Sequence, residues 1–373
     1  MKAKSKIKTK KKGAQMKQLL LNFLSIMLVT TPAFAGEWEY DVSGHAQGLY
    51  GYSSPKEHNH GIGQANLDSS ASYNFNNGDI LEFHLDFMFG IDQELQDYNQ
   101  GRWGEEAYLV YNSDYGQIML GQVFNVASLF HNGAPSVGAL SSNNDIVDFI
   151  SNPNWQRTSK STKFATLNST DINTDGVAPK INYISPEFYG TAIGFSYAPD
   201  SYNRRGLINK HARYSHKDAF VGAIYNDHDW GLFSSQSSFG YATYHGNDKE
   251  FSFSLKLSRG NWSLGGGYRK TYTDGEDKSN PDRNLPLFFD GYREGYAYNF
   301  GLGYEIGPFS SSLSYFYSQS SDNDNQNKVV AFSNQYQFNK NIDFYVATAY
   351  TDFENYDSSK SGYAIITGLG VNF

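Results

Sequence analysis

The stretch that decides the fold is FSFSLKLS, residues 251–258. Every second residue in it is apolar, and the residues between are Ser or Lys. Successive side chains of a β-strand point to opposite faces of the sheet, so this pattern gives a strand one apolar face and one polar face. The stretch therefore predicts a strand that separates two different environments.

The same alternation recurs along the chain from Gly36 onward and is clearest in residues 81–89, 296–304 and 363–373. The candidate strands are 38–52, 63–75, 79–90, 103–112, 116–122, 180–186, 190–198, 207–216, 219–226, 239–246, 250–258, 261–271, 294–305, 309–318, 328–338, 342–352 and 361–373. If these strands form a single-chain bacterial barrel, their number must be even, so one of the 17 candidates is wrong or one strand is missed. Short and long connections alternate in phase only if 239–246 lies within an outer loop from about 227 to 249. We therefore predict 16 strands.

The two faces of these strands identify the environments. The face opposite the apolar one is mostly Ser, Gly, Asn and Asp, without the dense Lys and Glu of a soluble β-sandwich. Tyr, Phe and Trp cluster near the strand ends, which suits the two interfaces of a membrane. Closure into a barrel satisfies every backbone group that hydrocarbon cannot. The fold class predicted is all-β, a transmembrane antiparallel β-barrel with lipid outside and water inside.

Composition supports this class and excludes others. The 373 residues include 36 Gly, 29 Tyr and 27 Phe, and aromatic residues make up 16%. A helical membrane bundle is excluded, because its helices each need about 20 consecutive apolar residues and the chain has one run of half that length. The absence of cysteine excludes disulfides, thiolate metal sites and cysteine nucleophiles. The abundance of rings argues against intrinsic disorder.

The N-terminal region has the pattern of a secretory signal. The apolar run 19–29 follows Met16 and Lys17 and ends in small residues up to Ala35. We predict a signal peptide over residues 1–35, starting at Met16 and cleaved after Ala35, with the barrel covering 36–373. A membrane anchor is the weaker interpretation, because the run is too short to span a bilayer. Removing eight lysines and no acid from a chain of net charge −8 leaves −16, which argues against a nucleic-acid partner.

The segment 123–178 interrupts the regular spacing of the predicted strands, because it places 56 residues between two of them. Loops of that length in a compact fold are usually functional. The segment contains two apolar clusters, around Phe124 to Phe130 and around Ile146 to Ile150, which a free external loop would leave in water. The simplest burial is inward against the barrel wall, so we expect this loop to narrow the lumen.

Candidate functional residues follow from the physics of a water-filled pore, in which the charge and size of the constriction set permeation. On the long loop the candidates for an acidic edge are Asp145, Asp148, Asp171 and Asp175. The alternative is that Asp145 and Asp148 lie in the first turns of a short helix capped by Asn144, while Asp171 and Asp175 are solvated turn residues.

On the barrel wall, strand parity directs a set of charges inward. A basic side chain facing lipid at the midplane costs about 2–4 kcal/mol, so inward charges are expected. The acids are Glu39, Asp41, Asp68, Glu82 and Asp86, and the bases are Lys180, Arg213, Lys256 and Arg269. If acids on the early strands face bases across the lumen, they would create an electric field across the pore. The alternative interpretation is that these charges only hydrate the channel wall.

Three stretches carry a resemblance to a known family: EEAYLVYNSDYGQIMLGQ at 105–122, PKINYISP at 179–186 and the terminal GVNF at 370–373. In their order, with the signal and the final Phe, the chain resembles the general diffusion porins of Gram-negative outer membranes from Gly36 to Phe373. Two departures bear on the charge preference of the pore. Gln122 stands where many relatives carry arginine, and the long loop lacks the Pro-Glu-Phe-Gly-Gly stretch of the enterobacterial members.

The resemblance implies a homotrimer of 16-stranded barrels in the outer membrane of a Gram-negative bacterium. It also implies a third extracellular loop folded into each pore, and a role for Phe373 in the signal read by the barrel-assembly machinery. The implied partners are outer-membrane lipid, lipopolysaccharide, ions and small hydrophilic solutes. The function expected is passive, weakly selective diffusion with no cofactor, no metal and no catalysis.

Three alternatives stay open at this point. A substrate-specific channel, such as a sugar porin, needs aromatic rings on the inward parity, whereas most rings here fall on the outward one. An outer-membrane barrel enzyme needs a nucleophile with its base, and the chain has no Gly-x-Ser-x-Gly turn. An adhesin or structural barrel with a filled interior would usually be smaller, since about eight strands already fill their own lumen.

Overall fold

The computed structural model describes residues 37–54, 58–92, 106–137, 166–167, 169–202, 215–244, 248–272, 294–321, 325–354 and 359–373. The predicted signal peptide lies outside the described residues, so its cleavage after Ala35 stays a prediction. Within the described part, no helix has the length and hydrophobicity needed to span a membrane.

Sixteen antiparallel strands form one closed barrel, as the alternation predicts. The strands are β1 Glu37–Ser53, β2 His58–Asn74, β3 Ile80–Asp92, β4 Glu106–Ser113, β5 Gly116–Gln122, β6 Pro179–Ile184, β7 Thr191–Tyr202, β8 Ser215–Asp229, β9 Ser234–Thr243, β10 Lys249–Arg259, β11 Trp262–Tyr272, β12 Gly295–Ile306, β13 Phe309–Ser320, β14 Gln326–Asn339, β15 Ile342–Glu354 and β16 Ser359–Asn372. One short helix, α1 Val126–Leu129, follows β5.

The barrel closes where the first and last strands meet. β1 pairs with β16 from His45 opposite Asn372 to Ser53 opposite Ala364. Beyond the last strand pair, the Phe373 amide donates to the Gly44 carbonyl at 3.0 Å, and the Gly44 amide donates to the Phe373 carbonyl at 2.9 Å. Closure therefore leaves no free sheet edge between β1 and β16.

The two ends of the barrel differ in their connections. At one end, here called the turn end, the strands are joined by residues 75–79, 114–115, 185–190, 230–233, 260–261, 307–308 and 340–341. The opposite end, here called the loop end, carries most of the longer connections, including 93–105, 123–178 and 273–294.

The two faces of the wall also differ. On β10, Phe253 and Leu255 are exposed while Ser252 and Ser254 are buried. Most strands show the same parity, so we call the side with the exposed rings the aromatic face and the opposite side the polar face. β12 shows it as well, with Phe300 exposed on the aromatic face and Asn299 buried on the polar face. On β2, Ala71 and Tyr73 lie on the aromatic face but are buried.

One sector of the polar face departs from the expected composition, because its residues are apolar and buried. This sector covers β1 and β12–β16, and Leu167 from the long connection joins it. Its wall residues are Leu49, Ala297, Phe316, Val329, Ala331, Tyr345, Ala347, Ala349, Ala364 and Ile366. Many of these are alanines, which strand alternation does not separate clearly from small polar residues.

One strand assignment was wrong. The segment 239–246 does not lie within an outer loop, because β9 covers most of it and Phe239 pairs with both Ile224 of β8 and Phe253 of β10. The total of 16 still holds, because candidate 219–226 and the end of candidate 207–216 belong to one strand, β8. Residues 203–214 lie outside the described residues. The loop-end connection 244–248 is as short as a turn, so connection length did not distinguish the two ends here.

The closure seam gives a prediction about assembly. A Cβ at Gly44 would lie 2.7 Å from a ring carbon of Phe373 and 2.9 Å from the backbone oxygen of Asn66, so Gly44→Val should overpack the seam. We expect a loss of about 1–3 kcal/mol of stability and a smaller folded fraction, measured as heat-modifiable migration in SDS gels.

Gly48→Val is the matched control, because Gly48 lies on the same strand and face and a Cβ there meets nothing within 4 Å. Equal folded fractions for the two variants would show that the seam tolerates a side chain at Gly44.

Candidate functional site

Near the start of the long connection, just before α1, the side chain of Asn125 joins two parts of the loop. We call residues 124–137 the first leg and residues 169–178 the return leg. The Asn125 side-chain oxygen caps α1 by accepting from the Ser128 amide at 3.0 Å. Its side-chain nitrogen donates to the Ile172 carbonyl at 2.8 Å and to the Asp175 carboxylate at 2.5 Å. Asn125 is fully buried, so one amide side chain fixes the start of the loop to its end.

The first leg crosses the polar face from β7 to β13. Four of its backbone amides donate to side chains on four strands of the wall, β7, β10, β12 and β13. These bonds are Val126 to Ser196 Oγ at 2.9 Å, Asn132 to Ser254 Oγ at 3.0 Å, Ala134 to Asn299 Oδ1 at 3.2 Å and Val137 to Ser312 Oγ at 3.1 Å. The Ser and Asn residues of the polar face thus supply the hydrogen-bond partners that an irregular buried backbone needs.

Glycines let this leg lie directly on the wall. A Cβ at Gly194 of β7 would lie 2.7 Å from the Cβ of Val126, and a Cβ at Gly240 of β9 would lie 2.6 Å from the Cβ of Ala127. Real Cβ atoms do not approach that closely, so the two positions require glycine for the loop to pack as it does. The first leg is therefore in van der Waals contact with the strands beneath it.

A buried ion pair holds the return leg. Arg269 of β11 and Glu250 of β10 are both fully buried, with Nη2 of the arginine 2.9 Å from Oε2 of the glutamate. The guanidinium also donates to three residues of the return leg. These bonds are to Ser169 Oγ at 3.0 Å, to Asn173 Oδ1 at 3.2 Å and to Thr174 Oγ1 at 2.8 Å. The Thr174 hydroxyl donates in turn to Glu250. A buried guanidinium is tolerated because its donors are satisfied.

A second buried pair lies where the loop rejoins the wall. Lys180 Nζ of β6 is 2.5 Å from the Asp175 carboxylate and donates to the Gly176 carbonyl at 2.6 Å. Both side chains are buried, so Asp175 neutralises Lys180 instead of meeting solvent. Asp171, by contrast, is half-buried and accepts from the Ser128 hydroxyl at 2.8 Å.

His131 links the two legs beside this network. Its Nε2 lies 2.9 Å from the hydroxyl of Thr170. Burial lowers the pKa of His131, the nearby Arg269 lowers it further, and Asp171 opposes the shift. Since the pKa lies below its usual value of 6.5, the imidazole is neutral at pH 7 and adds no charge to the loop.

The polar face of β1–β4 carries the remaining acids. Glu39, Asp41 and Asp68 are exposed there. Asp68 of β2 pairs directly with Asp86 of β3, which pairs directly with Glu106 of β4. Carboxylates opposite one another repel, so this acidic wall concentrates negative charge and favours nearby cations.

The fifth acid of the predicted set has local partners. Glu82 of β3 accepts from the Asn112 side chain at 2.9 Å and lies 2.9 Å from Nε2 of His84. His84 in turn stacks on Tyr108, with ring centroids 4.9 Å apart. In the described part of the chain, no group of three or more His, Asp or Glu side chains could hold a metal ion.

The structure separates the predicted site residues into four groups. Asp145, Asp148 and Arg213 lie outside the described residues. Asp175, Lys180 and Arg269 belong to the buried loop anchors. Asp171 on the return leg and Lys256 on the polar face of β10 are half-buried. The acids Glu39, Asp41, Asp68, Glu82 and Asp86 lie in the acidic wall together with Glu106.

The predicted set omitted two residues that matter here, Glu250 and Glu106. Strand parity was enough to find them, since Glu250 shares a row with Ser252 and Ser254, and Glu106 shares a row with Tyr108. The pairing of Glu250 with Arg269 depends on strand register, which the sequence did not give.

Comparison with known proteins agrees with this architecture. The sequence model of the Gram-negative porin family matches residues 24–356. None of the curated proteins is significantly similar to the chain.

Solved structures show the same fold at low sequence identity. An anion-selective porin from Comamonas acidovorans is 14% identical, with a TM-score of 0.60 over 90% of this chain and 100% of that one. OmpF of Salmonella typhi, solved with daunomycin, is also 14% identical, with a TM-score of 0.60 over 90% of this chain and 97% of that one. The outer-membrane channel DcaP of Acinetobacter baumannii is 13% identical, with a TM-score of 0.58 over 90% and 97%.

The family match extends over most of the chain, and the closed barrel of 16 strands is the architecture of the solved porins. This protein is therefore a member of the Gram-negative porin family, an integral β-barrel of the outer membrane that forms a diffusion channel.

Proposed function

We propose that this porin is a passive, weakly cation-selective channel for ions and small hydrophilic solutes, narrowed by residues 123–178 inside the lumen. The observation that carries the proposal is an asymmetry of the polar face. The loop legs are fixed over β6–β13, whereas the acidic wall of β1–β4 keeps exposed carboxylates. No chemical step and no cofactor are involved.

The position of the loop follows from the two faces. In an outer-membrane barrel, the aromatic face meets hydrocarbon and the polar face surrounds water. Both legs of the loop bond to side chains of the polar face, the first leg to residues such as Ser312 and the return leg to Arg269. Solutes would then pass between these legs and the acidic wall.

The proposed sign of the selectivity rests on which charges are buried in ion pairs and which are exposed. Lys180 and Arg269 are buried and paired with Asp175 and Glu250. The transverse field expected from the sequence is therefore weak at these two bases, while Glu39, Asp41 and Asp68 of the acidic wall are exposed. At physiological ionic strength a charge acts over about 8 Å, a range that reaches permeating ions along the wall. The Comamonas porin with this fold is anion-selective, which agrees with selectivity set by local charge and not by the fold.

The rings on the polar face argue against a sugar-specific channel. Such a channel needs an accessible line of aromatic side chains. Among the described residues, the polar-face rings of Phe316, Tyr345 and Phe353 are buried and are not available to stack on a passing sugar. Tyr108 on β4 and Tyr225 on β8 are half-buried, and these two strands are not neighbours in the sheet.

The same proposal includes the assembly of the protein. We infer a homotrimer in contact with outer-membrane lipid and lipopolysaccharide. The ring of Phe373 is 63% exposed at the turn end of the aromatic face, which supports its proposed role in the signal read by the barrel-assembly machinery.

Planar-bilayer recordings test the channel. Purified protein should give conductance steps in multiples of three, and the reversal potential under a KCl gradient should have the sign of cation preference. Neutralising the wall with Asp68→Asn and Asp86→Asn should lower the cation-to-anion permeability ratio by about twofold, because both carboxylates act on permeating ions.

Glu354→Gln is the control for this experiment, because it removes one charge from an exposed residue on the aromatic face of β15. The control should leave the reversal potential unchanged. Anion preference in the wild type would refute the proposed sign, and closure of the current by a maltooligosaccharide would favour a sugar channel.

The anchor of the return leg gives a second prediction. Glu250→Gln leaves the buried Arg269 without its counter-charge, at a cost of about 3–5 kcal/mol. We expect the leg to detach, which should raise single-channel noise and admit larger sugars in liposome-swelling assays.

The control is Lys328→Gln, which breaks a partly exposed ion pair with Asp352 on the aromatic face and should cost about 0–1 kcal/mol. If Glu250→Gln folds and its exclusion size equals that of the control, the loop does not set the width of the pore.

A further inference from the structure

A histidine lies within the acidic wall. His84 of β3 is on the polar face, directly opposite Ser70 of β2 and Tyr108 of β4. Its side chain is 30% exposed, so water can exchange protons with it. A group that can gain a positive charge therefore lies among the carboxylates on which the proposed cation preference rests.

Two contacts hold the imidazole of His84 in place. Its Nε2 lies 2.9 Å from Oε2 of Glu82, and its ring stacks on Tyr108 with centroids 4.9 Å apart and planes inclined by 12°. Glu82 is held in turn, because its other carboxylate oxygen accepts from the Asn112 side chain at 2.9 Å. The Asn112 side-chain oxygen accepts from Gln117 at 2.8 Å. The ring therefore has a defined position on the wall.

This arrangement accommodates both charge states of the ring. When neutral His84 donates its Nε2–H to Glu82, the lone pair of the ring is on Nδ1, which takes up the next proton. The contact with Glu82 is kept, because Nε2 carries a hydrogen in the charged ring as well. Histidine changes charge between about pH 5 and 8, whereas carboxylates titrate mostly below that range. Mild acid would therefore change the charge of the wall mainly at His84.

Acidic side chains face His84 from each strand around it. They are Glu82 and Asp86 on its own strand, Asp68 on β2, Glu106 on β4 and, one strand further, Asp41 on β1. Asp68 and Glu106 are its diagonal neighbours on this face, at about 7–8 Å. Tyr108, which stacks on the ring, is uncharged where histidine titrates. At physiological ionic strength a charge acts over about 8 Å, so a charged ring would act on several carboxylates at once.

We propose that His84 is a specificity-determining residue of the channel, and that its uptake of a proton as the pH falls lowers the cation preference of the acidic wall. The inference rests on the proposed function, because it requires permeating ions to pass this wall. A positive charge among the acids weakens their attraction for cations and their repulsion of anions. The buried anchors of the loop are not involved, so the width of the pore stays the same.

Reversal potentials under a KCl gradient test the inference when they are recorded at about pH 7.5 and about pH 5.5, where histidine is mostly neutral and mostly charged. His84 should lower the cation-to-anion permeability ratio of the wild type by about 1.5-fold at the acidic pH, because it adds one unit charge to the wall. His84→Gln is neutral at both pH values and should lose this part of the shift. It keeps every carboxylate, so any shift that the acids cause remains in the variant.

His84→Lys supplies the converse test, because its charge is permanent. At about pH 7.5 it should already have the lower ratio that the wild type reaches in acid. Both Gln and Lys keep an N–H donor for Glu82. A merely structural role of His84 would therefore not give the two variants different ratios at the same pH.

Two other histidines provide matched substitutions. His228 lies on the aromatic face of β8, with its ring 4.4 Å from that of Trp230, so His228→Gln should keep the full wild-type shift. His45 lies on the polar face of β1, opposite Asn66, and its Nδ1 is 2.7 Å from Oδ1 of Asn372. His45→Gln should keep most of the shift.

Four results would overturn the inference. They are a full wild-type shift in His84→Gln, a wild-type ratio in His84→Lys at about pH 7.5, an equal loss of the shift in His45→Gln or His228→Gln, and a change of conductance with pH at constant reversal potential. Anion preference of the wild type would refute the proposed sign of selectivity, but the shift with pH would still be measurable and would still decide the role of His84. If His84→Gln does not fold, His84→Lys decides.

Discussion

Hydrocarbon offers no hydrogen-bond partner to a backbone, and the rest of this structure depends on that constraint. A sheet in lipid must close, and here it closes by pairing β1 with β16 and by two backbone bonds between Gly44 and Phe373. Once the cylinder is closed, each residue has a fixed direction. The rings of the aromatic face then meet lipid, and the small and polar residues are left to the interior.

The polar face of the wall holds the long loop as well as meeting water. Its serines and asparagines accept hydrogen bonds from the first leg of the long loop, and glycines such as Gly240 let that leg lie against the strands. The inward bases are part of the same attachment, because Arg269 and Lys180 are buried beneath the return leg with Glu250 and Asp175. Anchoring the loop therefore buries two of the inward bases, whereas Glu39, Asp41 and Asp68 on the opposite part of the polar face are exposed. These two ion pairs therefore link the position of the loop to the charge that the polar face exposes.

Sequence reasoning worked where the physical signal is local and failed where it is not. The alternation of apolar and polar residues can be seen in consecutive residues, so it located most strands. It also showed which face of the sheet side chains such as Asp86 and Arg269 lie on. The assignment of 239–246 failed because it relied on connection length, and residues 244–248 make a loop-end connection as short as a turn. The alternation of side chains also could not show that the inward-facing Lys180 would be buried. Its burial depends on residues 175 and 176, which fold back onto it.

The sequence by itself determined the class of the protein, a closed lipid-facing barrel with a polar interior and one long connection, because strand direction and solvent preference are properties of neighbouring residues. The tertiary structure alone decided which inward charges meet water. It also decided which glycines of the wall lie directly against the loop. Those facts depend on register between strands and on contacts across the barrel, and such distances are set only when the sheet closes.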